Sequence, residues 1–157
     1  MNYSISDAIK SEMGNWKWEQ YCILDSTASR MPKVLTRLFE SESDAIAQSV
    51  YWEIDNKVYV QGNLFDSAIP VTSVLLTALR ENDLPKYVVM TIMEIIYQIM
   101  TGITDSEEIK NGKVDIEKAC ISMVGKQWNT IEMIGIKFKS LSGDIDEMRH
   151  IINASKA

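Results

Sequence analysis

Two helix starts with the same serine and proline spacing constrain the fold of this chain more than any other feature. Ser29 lies three residues before Pro32, and Ser67 lies three residues before Pro70. Serine can cap the free amides of a first helical turn, and that turn tolerates proline because its N–H has no helical partner. The two prolines lie 38 residues apart, which is close to the roughly 40-residue period of repeats built from helix pairs. The spacing therefore predicts repeated, antiparallel helix pairs.

Apolar residues at helical spacing extend this pattern over the first two-thirds of the chain. Ser41, Ser43 or Asp44 opens a helix after the one that begins near Pro32, and the short connection predicts that the two pack as an antiparallel pair. Residues 83–85 form a third start with a proline in the first turn. The helix that follows carries apolar residues on more than one face, so we expect it to be the most buried. Gly102 ends this helix.

The C-terminal third is predicted to be helical with polar connections. Residues 104–113 are polar and contain a glycine, which is typical of a surface loop. Asp115 can cap a helix with apolar residues up to Ile134. Residues 136–139 alternate in polarity, but without a pairing partner they are predicted to be a helix tail or a loop. Residues 145–152 form a last helix with one apolar stripe.

Two segments between or before these helices have a distinctive composition. Residues 1–24 mix aromatic and polar side chains around a short predicted helix, and Trp16 and Trp18 either close one end of the core or form an aromatic binding platform. The connector 55–63 is polar and carries one glycine. Gly62 most simply permits a turn with positive φ, because the sequence around it lacks the pattern of a phosphate-binding loop.

Length and charge define a broad class and exclude one kind of ligand. With 157 residues, 46% of them hydrophobic, the chain is predicted to form a single helical domain over residues 1–157. Its net charge of −6 argues against direct binding of nucleic acid, which requires clustered Lys and Arg. The same charge is compatible with a basic protein partner.

The sequence does not predict export or insertion into a membrane. The N-terminal residues carry Asp7 and Glu12 and lack the apolar run of a signal peptide. The most apolar stretch, 87–100, is too short to span a bilayer, and polar residues interrupt it. We therefore expect a cytoplasmic protein without a membrane partner, in which Cys22 and Cys120 are reduced and packed.

The sequence contains no residue constellation that predicts catalysis or a bound cofactor. His150 is the only histidine, so neither a histidine metal site nor a Ser-His hydrolase triad has enough members. The carboxylates of residues 105–117 are interpreted as a solvated acidic surface, and a partner-binding or ion-binding patch is the alternative. They do not have EF-hand spacing. We expect no enzyme activity, no metal and no cofactor.

The stretch 52–70 resembles a signature of small bacterial HEAT-repeat-like proteins. The resemblance covers about residues 16–101, and it differs at Val60, where a histidine commonly precedes the glutamine. It implies an all-α fold of stacked antiparallel helix pairs, a short HEAT-like α-solenoid. The residues that carry it are Trp52, the Gln61-Gly62 turn, the pair Leu64-Phe65, Asp66, Ala68 and Pro70.

Many proteins of this kind are encoded beside toxin genes and are similar to immunity proteins of polymorphic toxin and contact-dependent growth inhibition systems. The resemblance implies that this chain binds and neutralises a cognate, basic toxin domain, for example a nuclease, by occluding its active or substrate-binding surface. The alternative is a helical scaffold or adaptor that binds a host protein unrelated to toxins. An enzyme with an unusual carboxylate site is a third hypothesis.

The partner-binding residues are predicted to lie around the connector, on the polar side of the helix after Pro85, and in the acidic loop. The oligomeric state is left open. The predicted residues are Glu53, Asp55, Tyr59, Gln61, Glu94, Tyr97, Asp105, Glu107 and Glu108.

Overall fold

The computed structural model describes residues 5–81 and 83–156, and helices dominate this part of the chain. The predicted all-α class is confirmed in this coarse sense, although short strands also occur. The helices are α1 Asp7–Gly14, α2 Met31–Phe39, α3 Asp44–Ile54, α4 Ala68–Glu81, α5 Lys86–Met100, α6 Ser106–Lys110, α7 Ile116–Lys126, α8 Trp128–Lys137 and α9 Ser142–Ser155. The strands are β1 Cys22–Ile23, β2 Ser26–Thr27, β3 Tyr59–Val60, β4 Asn63–Leu64 and β5 Ile103–Thr104.

Sequence neighbours pack on each other in the first half of the fold. α2 packs on α3 and α4 packs on α5, as the short connections predict. α5 also packs on α3 and on α9, while α4 packs on α1 and α7. α7 contacts α9 and α5 as well, which joins the C-terminal helices to the same core. The part of the N-terminal prediction that concerns residues 1–4 lies outside the described residues.

The most buried helix is α4, so the prediction that α5 would be the most buried is wrong. Ten of the 14 residues of α4 are buried, against nine of the 15 residues of α5. The physical reason is that α4 is covered by α1, α5 and α7. α5 keeps a half-exposed polar side with Glu94, Tyr97 and Gln98. This polar side of α5 is in contact with solvent.

Three short strands occupy segments that the sequence predicts as a polar turn and a surface loop. β3 and β4 form an antiparallel hairpin, and β5 joins β4 in parallel. The amide of Ile103 donates a hydrogen bond to the Gly62 carbonyl at 2.8 Å. The surface-loop prediction for 104–113 is therefore wrong, because β5 reaches Thr104 and α6 covers much of the rest. Pairing between residues so distant in sequence has no local signal.

The two predicted glycine positions have clear structural reasons. Gly62 adopts φ +82°, the left-handed conformation that its turn was predicted to need. α5 ends at Met100, just before Gly102. A Cβ at Gly102 would meet the Leu64 side chain at 2.7 Å. A glycine at this position therefore lets the chain leave α5 and approach β4 closely.

Only part of the predicted helix capping is confirmed. The hydroxyl of Ser43 accepts a hydrogen bond from the Ile46 amide at 3.2 Å, and this bond caps α3. α2 instead begins after Arg30, whose side chain makes no cap bond. The buried hydroxyl of Ser67 has no partner among the described residues, so it caps nothing. Asp115 does precede α7, but with φ +60° and without a cap bond from its side chain.

The predicted C-terminal helices are confirmed with different boundaries. The helix predicted from Asp115 to Ile134 is divided into α7 and α8 at Gln127. α8 ends at Lys137, and a turn of 3-10 helix follows, as expected for a helix tail. None of the helices in the described ranges combines the length and the apolar character needed to cross a membrane.

Candidate protein-binding face

The exposed sides of α3, α5 and α9 bring tyrosines and carboxylates together. α5 contacts both other helices, and its core-facing apolar residues leave a polar stripe toward solvent. Glu94 on this stripe lies close enough to influence tyrosines on α3, on β3 and on α5 itself. We define the tyrosine–carboxylate face as Tyr51, Asp55, Tyr59, Glu94, Tyr97, Asp144 and Glu147.

The first half of this face surrounds a buried tyrosine. Burial raises the pKa of Tyr59 strongly, and Tyr51, Asp55 and Glu94 raise it further. Its hydroxyl makes no well-aligned hydrogen bond within the described residues, although Tyr51 lies beside it. Burial also raises the pKa of Tyr51, and the charges of Glu94 and Asp55 act in the same direction. Both phenols therefore stay neutral at physiological pH.

The second half of the face joins α5 to α9. The hydroxyl of Tyr97 donates to Glu147 at 2.7 Å. This hydrogen bond, with the nearby charges of Asp144 and Glu94, raises the pKa of Tyr97 to about 12. The amide of Gln98 donates to Glu94 at 3.0 Å, which fixes that carboxylate on the α5 stripe. These polar contacts orient the side chains of Tyr97 and Glu94 on the face.

The carboxylates of this face have no cationic partners. Asp55, Glu94, Asp144 and Glu147 form no salt bridge with any residue in the described ranges, whereas some exposed carboxylates elsewhere, such as Glu53 and Asp146, do. Grouped charges of one sign create a local potential that attracts an oppositely charged surface. The face is therefore complementary to a basic protein surface.

The structure brings four of the nine predicted partner-binding residues together. They are Asp55, Tyr59, Glu94 and Tyr97. The other five lie elsewhere. Gln61 is exposed at the hairpin turn, and Glu53 forms a salt bridge with Arg37 at 2.7 Å. Asp105 caps α6, Glu107 forms a salt bridge with Lys110, and Glu108 is only 2% exposed.

Two of these predicted residues are buried, which changes what they can do. Tyr59 is 2% exposed, so it supports the face from below and does not present a side chain to a partner. Glu108 belongs to an internal cluster and not to a solvated acidic surface.

The sequence reasoning missed Tyr51, Asp144 and Glu147. Tyr51 is one helical turn before Asp55, so it could have been found by spacing on α3. Trp52 beside it is 61% exposed, and its ring lies 5.1 Å from the ring of Tyr51 in an edge-on arrangement. The contact between α5 and α9 depends on tertiary packing, so no local pattern indicates Glu147.

A second cluster lies inside the fold where β1, α4 and α6 meet. The amide of Cys22 donates to Asp66 Oδ1 at 2.6 Å, and the amide of Asp66 donates to Glu108 Oε2 at 2.7 Å. Lys113 Nζ donates to Asp66 Oδ2 at 2.5 Å and lies 3.8 Å from Cys22 Sγ. These contacts tie three distant segments of the chain together.

This second cluster has the donor set of a small metal site, but Lys113 already forms a salt bridge with its Asp66 carboxylate. The thiol of Cys22 and the carboxylates of Asp66 and Glu108 lie within reach of one common ion. The ammonium of Lys113 donates to two of these three groups. A metal ion would have to displace this ammonium, so the arrangement is that of a partly buried ion pair.

The protonation of the second cluster follows from burial and charge. Burial raises the pKa of Glu108, and this effect is larger than the lowering of that pKa by the hydrogen bond from the Asp66 amide. The hydrogen bond to Asp66 raises the pKa of Lys113, so the lysine is charged. Burial and the carboxylates raise the pKa of the Cys22 thiol. This thiol is therefore mostly protonated at neutral pH.

Comparison with protein-family models, with curated proteins and with solved structures finds no match to this chain. The resemblance to HEAT-repeat-like immunity proteins therefore stays a prediction that rests on residues 52–70.

Proposed function

We propose that this chain is a cytosolic immunity protein that binds and neutralises one cognate bacterial toxin domain through the tyrosine–carboxylate face. In this proposal the pairs α2–α3 and α4–α5 belong to a short HEAT-like stack, and α3, α5 and α9 line its binding side. The observation that carries the proposal is the convergence of Asp55, Glu94, Asp144 and Glu147 without cationic partners in the described residues.

The chemistry of the face favours a protein partner with a basic surface. Its carboxylates can steer a cationic surface and orient it, while the half-buried Tyr51 and Tyr97 supply rigid contact area. Trp52, which is 61% exposed, adds an aromatic side chain at the edge of the face. If the toxin is a nuclease, the carboxylates occupy positions that substrate phosphates would take on the toxin. Occlusion of the substrate-binding surface would then inhibit it.

An adaptor function uses the same face for a host protein unrelated to toxins. The two functions differ in a simple observation. An adaptor binds endogenous proteins in cells that contain no toxin, whereas an immunity protein requires one cognate partner and protects cells that express it.

The test is co-expression of the chain with the protein encoded immediately upstream. We expect the upstream protein to arrest growth alone and the wild-type chain to restore growth. The double variant E94K/E147K reverses two charges of the face. At about 1 kcal/mol for each reversed exposed charge, it should bind about 30-fold more weakly and lose protection.

The matched control is E19K/E81K, which makes the same change in net charge. Glu19 is exposed in a short 3-10 helix at Trp18–Gln20. Glu81 is exposed at the end of α4, where its carboxylate lies 3.9 Å from Arg80 on the adjacent position. This variant should protect as well as wild type. An upstream protein that is harmless, or that stays toxic beside the wild-type chain, would overturn the immunity function. Full protection by E94K/E147K would overturn the assignment of the face.

A further inference from the structure

The contact between Cys22 and Lys113 is unusual because it joins a thiol and an amine across the fold. Cys22 Sγ and Lys113 Nζ lie 3.8 Å apart, although the residues are separated by 91 positions. The Lys113 side chain is 35% exposed, and Cys22 is half-buried. Neither side chain is fully buried, so a small oxidant in solution has access to this pair.

We propose that Cys22 and Lys113 form a covalent N–O–S bridge, with one oxygen atom between Lys113 Nζ and Cys22 Sγ, when a hydroperoxide oxidises the protein. The proposal does not depend on the function proposed above.

Two molecules of hydrogen peroxide balance this reaction. The thiolate of Cys22 attacks the first peroxide, whose O–O bond breaks, and a sulfenic acid and one water form. An N–O bond then forms between the lysine amine and the sulfenic oxygen. The nitrogen and the oxygen each lose one hydrogen, and the second peroxide takes both as it is reduced to two waters. Sulfur and nitrogen are oxidised, and both peroxides are reduced.

Asp66 supplies the proton transfer that this chemistry requires. An ammonium has no free electron pair, so Lys113 must lose a proton before its nitrogen can form a bond. The Asp66 carboxylate accepts a hydrogen bond from Nζ at 2.5 Å and lies where it can receive that proton. Because the same hydrogen bond raises the pKa of Lys113, proton loss is favoured only at raised pH. Glu108 beside it shares the negative charge of the cluster.

The separation of the two atoms favours an inserted oxygen over a direct sulfur–nitrogen bond. A sulfenamide would require the two atoms to approach to bonding distance from 3.8 Å. One oxygen between them spans more of this gap, so the backbone has to move less. The bridge would covalently link β1 to the segment between α6 and α7. Constraint of the unfolded chain should then move the urea midpoint upward.

The test is peptide mapping after treatment with hydrogen peroxide and alkylation of the remaining thiols. Intact mass alone is ambiguous because the chain has nine methionines that also take up oxygen. Trypsin should leave peptide 18–30 joined to peptide 111–118, uncleaved after Lys113. The joined species should carry one more oxygen and two fewer hydrogens than the sum of the peptides, and a thiol reductant should separate it.

Three variants make the result specific. K113R keeps the positive charge beside Asp66 and should give no joined peptide, and neither should C22S. C120S should give the bridge as wild type does, because Cys120 is completely buried. Because the thiolate attacks, the yield at a fixed time should rise with pH. If peptide 18–30 is recovered only in free form, alkylated or carrying a sulfinic or sulfonic acid, and no joined peptide is found at any pH, the proposal is overturned. A joined peptide without the extra oxygen also overturns it.

Discussion

Replacing Lys113 with methionine removes the cation of the internal cluster and leaves Asp66 unpaired. Removing one partner of a fully buried ion pair costs about 3–5 kcal/mol, whereas exposed pairs are worth about 0–1 kcal/mol. The side chain of Asp66 is 9% exposed and that of Lys113 is 35% exposed. The pair lies between these limits, so we expect the free energy of unfolding to fall by about 2–3 kcal/mol.

Urea unfolding followed by circular dichroism measures this change. With a slope of about 2 kcal/mol per molar urea, the midpoint of K113M should fall by about 1–1.5 M. K113R keeps a cation beside Asp66 and is the matched control. The double variant D66N/K113M should lose less free energy of unfolding than the sum of the losses of D66N and K113M, because it leaves no buried charge unpaired. A K113M midpoint equal to that of wild type would refute this reasoning, as would simple additivity.

Three further predictions concern other parts of the fold. G102A should lower the free energy of unfolding by about 1–3 kcal/mol, because its Cβ would collide with Leu64. G143A is the control: a Cβ there would meet no atom within 4 Å beyond its chain neighbours and the nearby backbone of α9, so it should not lower the urea midpoint. S67A should leave the urea midpoint equal or higher, because it removes a buried hydroxyl without a partner in the described residues. A fall in the free energy of unfolding of more than about 1 kcal/mol would show instead that Ser67 caps α4. Wild type should lose stability as pH rises above the ordinary Glu108 pKa of 4.5, since the folded pKa is raised and the folded state holds the proton longer. E108Q should flatten this part of the pH profile of unfolding, and an unchanged profile would contradict the assignment.

The sequence predicts the helices better than their surroundings. Apolar spacing and short connections correctly indicate α2 with α3 and α4 with α5 as neighbours. These signals are local, because the apolar spacing of a helix can be seen in that helix's own residues. The relative burial of α4 and α5 depends on which other helices cover them, and this cannot be read from either segment alone.

The contacts that the sequence could not predict join residues far apart along the chain. β5 pairs with β4, and Glu108 accepts the amide of Asp66 from 42 positions away. Each of these residues has a local pattern typical of a turn or a polar loop, so tertiary structure alone determines their roles. For the candidate face, Asp55 and Glu94 were predicted, while Glu147 enters through the packing of α9 on α5.

Backbone NMR of the isotope-labelled chain, titrated with the protein encoded immediately upstream, which we propose to be the toxin, tests the tyrosine–carboxylate face most directly. We predict that the largest amide shift changes fall on α3, α5 and α9, around Asp55, Glu94 and Glu147. E94K/E147K should require a higher toxin concentration for the same changes, and E19K/E81K should behave like wild type. Shift changes confined to α6 or α8, with none on the face, would contradict the account.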